Sequence, residues 1–445
     1  MSRKYFGTDG VRGRVGQSPM TVDFALRLAS AAARVLAPNG GKVLVGKDTR
    51  LSGYMFEAAL EAGFVAAGVD AMMIGPLPTP GIAYLTKKFA CNFGVVISAS
   101  HNPFEDNGIK FFDSEGGKLN DDIESQIEAI LDDQPITCAS QLLGKAVRVD
   151  KQRVEYQRFC LESIPKGIDL AGFKIVIDCA HGAGYKVAPR ILADLKAEII
   201  PIGCSPNGRN INAGCGSTSP ELLQLTVPGV RACAGIALDG DGDRLVMVDH
   251  LGRTVDGDQL LYILASARKA AGQLKGPIVG TVMSNLGLQH ALAKQGIDFH
   301  RAKVGDRYVL EMMREKGAVL GGETSGHLLS LDHATTGDAM VVAVQVLAIM
   351  KQSGKSLAEL AAGMPKYPQL MENVHIAQKM NPDSSPAIQD AIKNAEQQLA
   401  GTGRVVLRAS GTEPLIRVMV EGRDESQVKA LVKELVEVVK AAAEA

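Results

Sequence analysis

The chain has 445 residues, 46% hydrophobic and 22% charged, an ordinary globular balance that excludes disordered, collagen-like and coiled-coil architectures and, at roughly 100 to 200 residues per domain, points to about three or four domains. Its 48 basic and 49 acidic residues sum to a formal charge of −1, so no global field draws it to nucleic acid or an anionic membrane, and any anionic ligand must be held locally. Tryptophan is absent and aromatics are 4%, which argues against a stacking platform for single-stranded nucleic acid.

The opening MSRKYFGTDG carries no apolar h-region or cleavage signature, and a cytoplasmic location is expected. The runs KVLVG (42–46) and GVVIS (94–98) read as buried strands, separated by the helical stretch YMFEAALEAGFVAAG. GKVLVGK (41–47) comes near a P-loop, but Asp48 stands where Ser or Thr is needed and the segment reads as a strand. Such β-branched runs alternating with Ala- and Leu-rich helical stretches are the pattern of α/β layers around a largely parallel sheet. A second unit opens at FKIVIDCA (173–180), contains AGIALDGDGDR and closes near VMVDHLG; a third runs from about Asp256 through PIVGTV and GAVLGGETSGH. The longest apolar run, 340–350, is about half of what a membrane span needs and is broken by Gln345. KYPQ and NPDSSP then predict a hinge and an irregular loop.

A small last unit follows: strand RVVLR, loop ASGTEP, strand LIRVMVEG, and a helix from about Asp424 with Val428, Leu431, Val432, Leu435 and Val438 at helical spacing. The expected organisation is three consecutive α/β domains with mixed, largely parallel sheets, residues 1–152, 153–254 and 255–366, plus a smaller α+β C-terminal domain, 367–445. The seven cysteines, an odd set without a CxxC pair, are expected to be reduced, buried thiols.

Four segments carry chemistry. In Asp239-Gly-Asp241-Gly-Asp243-Arg244, carboxylates at alternate positions can fold their oxygens around one hard cation such as Mg²⁺. Packed after an apolar strand they repel without a counter-ion. A calcium EF-hand fails, because its sixth position would be Arg244 and its twelfth His250. Ser98-Ala99-Ser100-His101-Asn102-Pro103 lies at the end of a predicted strand, where open α/β sheets place their ligand crevices; an ordinary turn is the plain alternative, and a serine hydrolase lacks its GxSxG elbow. Arg12, Lys47, Arg50, Lys110 and Arg307 each read singly as surface charges, whereas Arg408 and Arg417 flank Ser410, Gly411 and Thr412 in a turn that suits a phosphate or is a plain hairpin. Gly322-Glu323-Thr324-Ser325-Gly326-His327 offers a carboxylate, hydroxyls and an imidazole, the mixture that a polyhydroxylated ligand needs, or a capped turn.

Together, FGTDGVRG, ISASHNP, DNGIK, DGDGDR, VGDRYV, GETSGH and RASGTEPLIRV resemble, in this order, the functional loops of the α-D-phosphohexomutase superfamily along essentially the whole chain. The resemblance implies four domains around a central cleft and an intramolecular phosphotransferase of the isomerase class, nearest to members that interconvert glucosamine 6-phosphate and glucosamine 1-phosphate toward UDP-N-acetylglucosamine. It implies that Ser100 carries the phosphoryl group as phosphoserine, and that Ser100, Asp239, Asp241 and Asp243 hold one Mg²⁺. By the same carry-over Arg12 and Arg244 support these loops, Lys110 and His327 are candidates for proton transfer, and Glu323 and Ser325 bind sugar hydroxyls. Arg408, Ser410, Gly411, Thr412 and Arg417 hold the phosphate that does not react. Glucosamine 1,6-bisphosphate or a similar sugar bisphosphate is the implied primer. Thr324 departs from the Asn that relatives often have, as does Ala339 from a common Gly. A mutase for neutral hexose phosphates and a non-catalytic sugar-phosphate binder are the alternatives; partners are small sugar phosphates, not nucleic acid or membrane, and a homo-oligomer stays open.

Overall fold

Strand runs buried on both faces need cover on both sides, and this requirement sets the architecture. A computed structural model describes residues 4–7, 9–150, 152–376, 380–409 and 414–444. In the first sheet the strands lie in the order Val11–Arg14, Asp106–Phe112, Phe93–Ile97, Gly41–Lys47, Val69–Pro76 and Ala146–Arg148. The last four are mutually parallel, and the first two are antiparallel to their neighbours. Along Gly41–Lys47, Val43 and Val45 enter one core with Phe56 and Phe64, while Leu44 enters the other with Ile82. That alternation at period two is why KVLVG reads as a continuous apolar run.

The second sheet orders Thr254–Val255, Leu245–Asp249, Ala234–Leu238, Lys174–Asp178 and Glu198–Ile202, parallel over its last three strands. The third orders Phe299–Ala302, Ile278–Thr281, Leu320–Gly322 and Leu328–Ser330, with one antiparallel edge. The helix Ala339–Ser353 contains the apolar run at 340–350 and is buried almost all round. No helix among the described residues is long and apolar enough to cross a membrane. The last sheet is wholly antiparallel, Gln369–His375 and Gly403–Ala409 flanking Leu415–Gly422.

Some elements differ from the sequence reading. The expected hinge after Met364 enters the strand Gln369–His375, and NPDSSP leads into the helix Pro386–Leu399. DNGIK is part of the strand Asp106–Phe112. Its first residues are spent on polar contacts, Asn102 to Asp106 and Asn107 to Ser52, so tertiary pairing overrides a weak strand propensity. In the final helix, Glu425–Glu444, Val428, Leu431, Val432 and Leu435 are buried as expected, but Val436 and Val439 complete the face and Val438 is only half-buried. All seven cysteines are free thiols, with Cys138, Cys204 and Cys233 only half-buried.

Candidate active site

After the strand Phe93–Ile97 the chain turns so sharply that Ser100 sits at φ 53°, a left-handed conformation that a residue with a Cβ resists. Its Oγ donates to Asp239 Oδ2 at 2.6 Å. Asp239 follows the strand Ala234–Leu238 at the same kind of strand end, so the two loops meet across two domains. Glycine makes the meeting possible: a Cβ on Gly240 would stand 2.5 Å from the Ser100 carbonyl oxygen, and Gly242 turns the loop at φ +71°.

Asp239, Asp241 and Asp243 are buried, with carboxylate oxygens within 4.8 Å of one another. Burial and the neighbouring Asp243 and Asp241 carboxylates push Asp239 well above the usual carboxylate range. Asp243 moves the other way: burial opposes it, but His327, Lys110 and Arg244 hold its carboxyl low. Lys110 is buried with its Nζ 2.9 Å from both Asp241 Oδ2 and Asp9 Oδ2; these carboxylates outweigh burial and raise it. His327 lies between Asp243 Oδ2, 3.6 Å from Nδ1, and Asp306 Oδ2, 3.5 Å from Nε2, and the same balance raises its imidazole. His101, beside Ser100, is pushed down to about 4 by burial and by Arg244 and Arg12.

A cavity of about 380 Å³ collects Arg12, Ser100, Asp243, Arg244, Glu323 and His327, together with Asp9 and Asp306. Glu323 Oε1 accepts the Gly305 N–H at 3.0 Å. Thr324 turns away from the cavity and donates to the buried Asp258 at 2.8 Å, so its departure from Asn bears on loop support. Ser325 is exposed and outside the lining.

The cations divide. Lys47 pairs with Glu57 in the interior, Arg50 is fully buried against the serine loop, and Lys110 is a site residue, so the surface reading fails for all three. Arg307 forms ion pairs with Asp121, Glu124 and Glu311 beside the cavity. Arg408 and Arg417 stand directly opposite each other on antiparallel strands, and the Nε of each is buried without a hydrogen-bond partner among the described residues. They are absent from the cavity lining among the described residues; Ser410, Gly411 and Thr412 lie outside the described residues.

Sequence reasoning missed several contacts. Asp9 stands in the quoted FGTDGVRG and pairs with Arg12, Lys110 and Lys118. Asp306, in VGDRYV, pairs with Lys118. Thr79 Oγ1 donates to Asp241 Oδ2 at 2.7 Å. Lys118 and Thr79 belong to no motif, and no local signal marks them.

The aspartate loop fits a hard divalent cation on its own chemistry. Three buried carboxylates converge, and Oδ1 of both Asp241 and Asp243 is buried without a hydrogen-bond partner among the described residues, which is costly unless a cation satisfies them. A nucleophilic hydroxyl beside such a loop, with a lysine and an imidazole in reach, can take up and hand over a phosphoryl group.

Models of the phosphoglucomutase/phosphomannomutase family match nearly the whole chain: alpha/beta/alpha domain I at residues 3–135, domain II at 155–252, domain III at 256–367 and the C-terminal domain at 371–438. The phosphoglucosamine mutase of Aeromonas hydrophila is 54% identical over 443 residues, covering 99% of this chain and 100% of that protein. Among solved structures, a phosphoglucomutase/phosphomannomutase family protein from Burkholderia thailandensis superposes with a TM-score of 0.80 at 23% identity, covering 98% of this chain and 97% of that one. Aspergillus fumigatus N-acetylphosphoglucosamine mutase, solved with GlcNAc-6P and magnesium, superposes at 0.71 and 18% identity, covering 99% and 96%.

Proposed function

The chain belongs to the phosphoglucomutase/phosphomannomutase family, and from that premise we propose that it is a mutase that interconverts glucosamine 6-phosphate and glucosamine 1-phosphate through a phosphoserine at Ser100. The observation that carries the reading is the 2.6 Å bond from Ser100 Oγ to Asp239 of the buried aspartate triad, at a cavity that Ser100 and Asp243 line with an imidazole and two guanidinium groups. The amino-sugar preference follows the relative at 54% identity; the solved relative bound to a hexosamine 6-phosphate and magnesium agrees with it.

The reaction runs in two half-steps. The phosphoryl group leaves Ser100 Oγ for O1 or O6 of the bound monophosphate, and the attacking sugar hydroxyl gives its proton to Lys110 or His327, either of which must first lose the proton that the surrounding carboxylates favour. The resulting glucosamine 1,6-bisphosphate turns over in the cleft, its other phosphoryl group goes to Ser100 Oγ, and the released sugar oxygen regains a proton. Arg12 and Arg244 neutralise charge spread over the moving oxygens. Glu323 and Ser325 bind sugar hydroxyls; Arg408 and Arg417, with the turn between them, clamp the phosphate that stays. Mg²⁺, held by Asp239, Asp241, Asp243 and the serine phosphate, supplies Lewis-acid neutralisation of the phosphoryl oxygens when bound. A sugar bisphosphate primes the unmodified serine.

Intact-mass measurement and peptide mapping before and after incubation with glucosamine 1,6-bisphosphate test the reading, followed by kcat/KM on glucosamine, glucose and mannose phosphates. A single phosphoryl group on Ser100 and a clear preference for glucosamine are expected. Phosphate on another residue refutes the carrier, and a preference for glucose or mannose phosphate refutes the substrate.

A further inference from the structure

The cavity leaves one matter unexplained: Ser100 is kept in a left-handed conformation that nothing in its own side chain favours. We propose that Asp48 and Arg50 are positioning residues that clamp the peptide of Ser100 in this conformation and so aim its Oγ at the aspartate loop. The inference rests on Ser100 being the phosphoryl carrier.

The strands Gly41–Lys47 and Phe93–Ile97 are parallel neighbours, so the loops at their C-terminal ends lie side by side, tied by the Asp48 N–H to the Ile97 carbonyl at 3.1 Å. Arg50 is completely buried. Its Nη2 donates to the carbonyls of Ser100 at 3.2 Å and Asn102 at 2.6 Å, its Nε to that of Asp106 at 2.9 Å, and its Nη1 to Asp48 Oδ2 at 3.1 Å. One guanidinium thus spans two carbonyls of the serine loop and one at the start of the strand that follows it, which the single point charge of a lysine cannot do.

The other half of the peptide is held from the same pair. Asp48 Oδ2 accepts Ser98 Oγ at 2.6 Å, and Ser98 Oγ accepts the Ser100 N–H at 3.0 Å. Asp48 and Arg50 therefore control the N–H of Ser100 through Ser98 and its C=O directly. From the second domain, Asn212 Nδ2 donates to the same carbonyls of Ser100 and Asn102, at 2.9 and 3.0 Å. A residue in a sparsely populated conformation persists only where its surroundings over-determine it. Neither Asp48 nor Arg50 lines the cavity; both act through the backbone of the serine.

Arg50→Lys and Asn212→Ala test the clamp, read by single-turnover transfer from glucosamine 1,6-bisphosphate to the enzyme, by steady-state kcat and KM, and by peptide mapping. The lysine variant keeps the charge beside Asp48, and Asn212 is only half-buried, so a folded form of at least one variant is available. Misplacing a nucleophile by about 1 Å costs on the order of a hundredfold in rate. Arg50→Lys is expected to slow transfer by roughly that factor and Asn212→Ala by roughly tenfold, with KM within about threefold of wild type. A variant that is merely less stable would instead have fewer active molecules, each transferring at the wild-type rate. That result, or a loss confined to KM, overturns the clamp. If Arg50→Lys does not fold, Ser98→Ala, which cuts the relay from Asp48 to the Ser100 N–H, decides in its place: slowed transfer with KM near wild type supports the clamp, and a wild-type transfer rate overturns it. Phosphate found elsewhere than Ser100 in the wild type removes the carrier and the clamp together.

Discussion

At the scale of single residues, the site concentrates charge that burial makes expensive. Ser100→Ala deletes one small hydroxyl and the covalent carrier with it, so turnover should vanish while the melting temperature stays within a few degrees of wild type; retention of most activity would exclude Ser100 as carrier. Removing divalent metal should stop turnover, with Mg²⁺ restoring it better than Ca²⁺, whose looser coordination misplaces phosphoryl oxygens. Asp241→Asn should reproduce that loss, and full activity in excess chelator would contradict the metal assignment.

Asp258 supplies a pH dependence. It accepts from the Asn285 N–H and from Thr324 Oγ1, both at 2.8 Å. Burial, with Asp256 nearby, pushes it up to about 6. The folded state therefore holds this proton more tightly than the unfolded chain, so the stability it contributes is complete below about pH 4 and is lost as pH rises through about 6. Asp258→Asn keeps an acceptor oxygen and avoids the buried charge. Denaturant titration should find it more stable than wild type at pH 7.5, by on the order of 2 to 3 kcal/mol, with the gain roughly halved at pH 5 and gone below about pH 4; a variant less stable at every pH would refute this.

At the scale of elements, strand register does what no single residue can. The antiparallel pairing of Gly403–Ala409 with Leu415–Gly422 sets Arg408 directly across from Arg417. Like charges in that position repel, and burial and Arg417 lower the Arg408 guanidinium from its ordinary value. A bound phosphate would relieve both. Ser100 and the metal loop define one reacting position, so the two monophosphates reach it only by presenting opposite ends, and their second phosphate must occupy one shared place. Arg408→Ala should therefore raise KM for both, by on the order of tenfold to a hundredfold for one lost charge-assisted contact. Impairment of one substrate alone would require separate phosphate sites. The opposition of the two arginines is legible in sequence because their strands are close in the chain; the strand Gln369–His375 is not, since it pairs with Leu415–Gly422 from some forty residues away.

At the scale of the whole molecule, the C-terminal unit is latched onto the third. Glu421 is fully buried, accepts the Leu286 N–H at 2.6 Å and pairs with Arg404 Nε at 2.7 Å. Arg404 in turn reaches the carbonyls of Val282 and Ser284, both at 2.7 Å. Glu421→Ala leaves the half-buried Arg404 without its carboxylate and the Leu286 N–H without its acceptor, which costs on the order of 1 to 3 kcal/mol. Hydrogen exchange should show the C-terminal sheet opening ahead of the other three; uniform protection across all four sheets would refute the latch.

The sequence alone determined whatever depends on near neighbours. Ser100, the Asp239, Asp241 and Asp243 loop and the apolar face of the last helix were all visible, because alternating Asp and Gly after a buried strand, or valines at helical spacing, are patterns within one short window. Tertiary structure alone decided which charges meet and which are buried. Lys110 reads as a surface lysine until the fold sets it between Asp9 and Asp241, and Arg50 until the serine loop closes over it. Lys118 meets Asp306 across 188 positions of chain. Electrostatic interactions depend on distance in space and on exclusion of water, and neither quantity is written in local spacing.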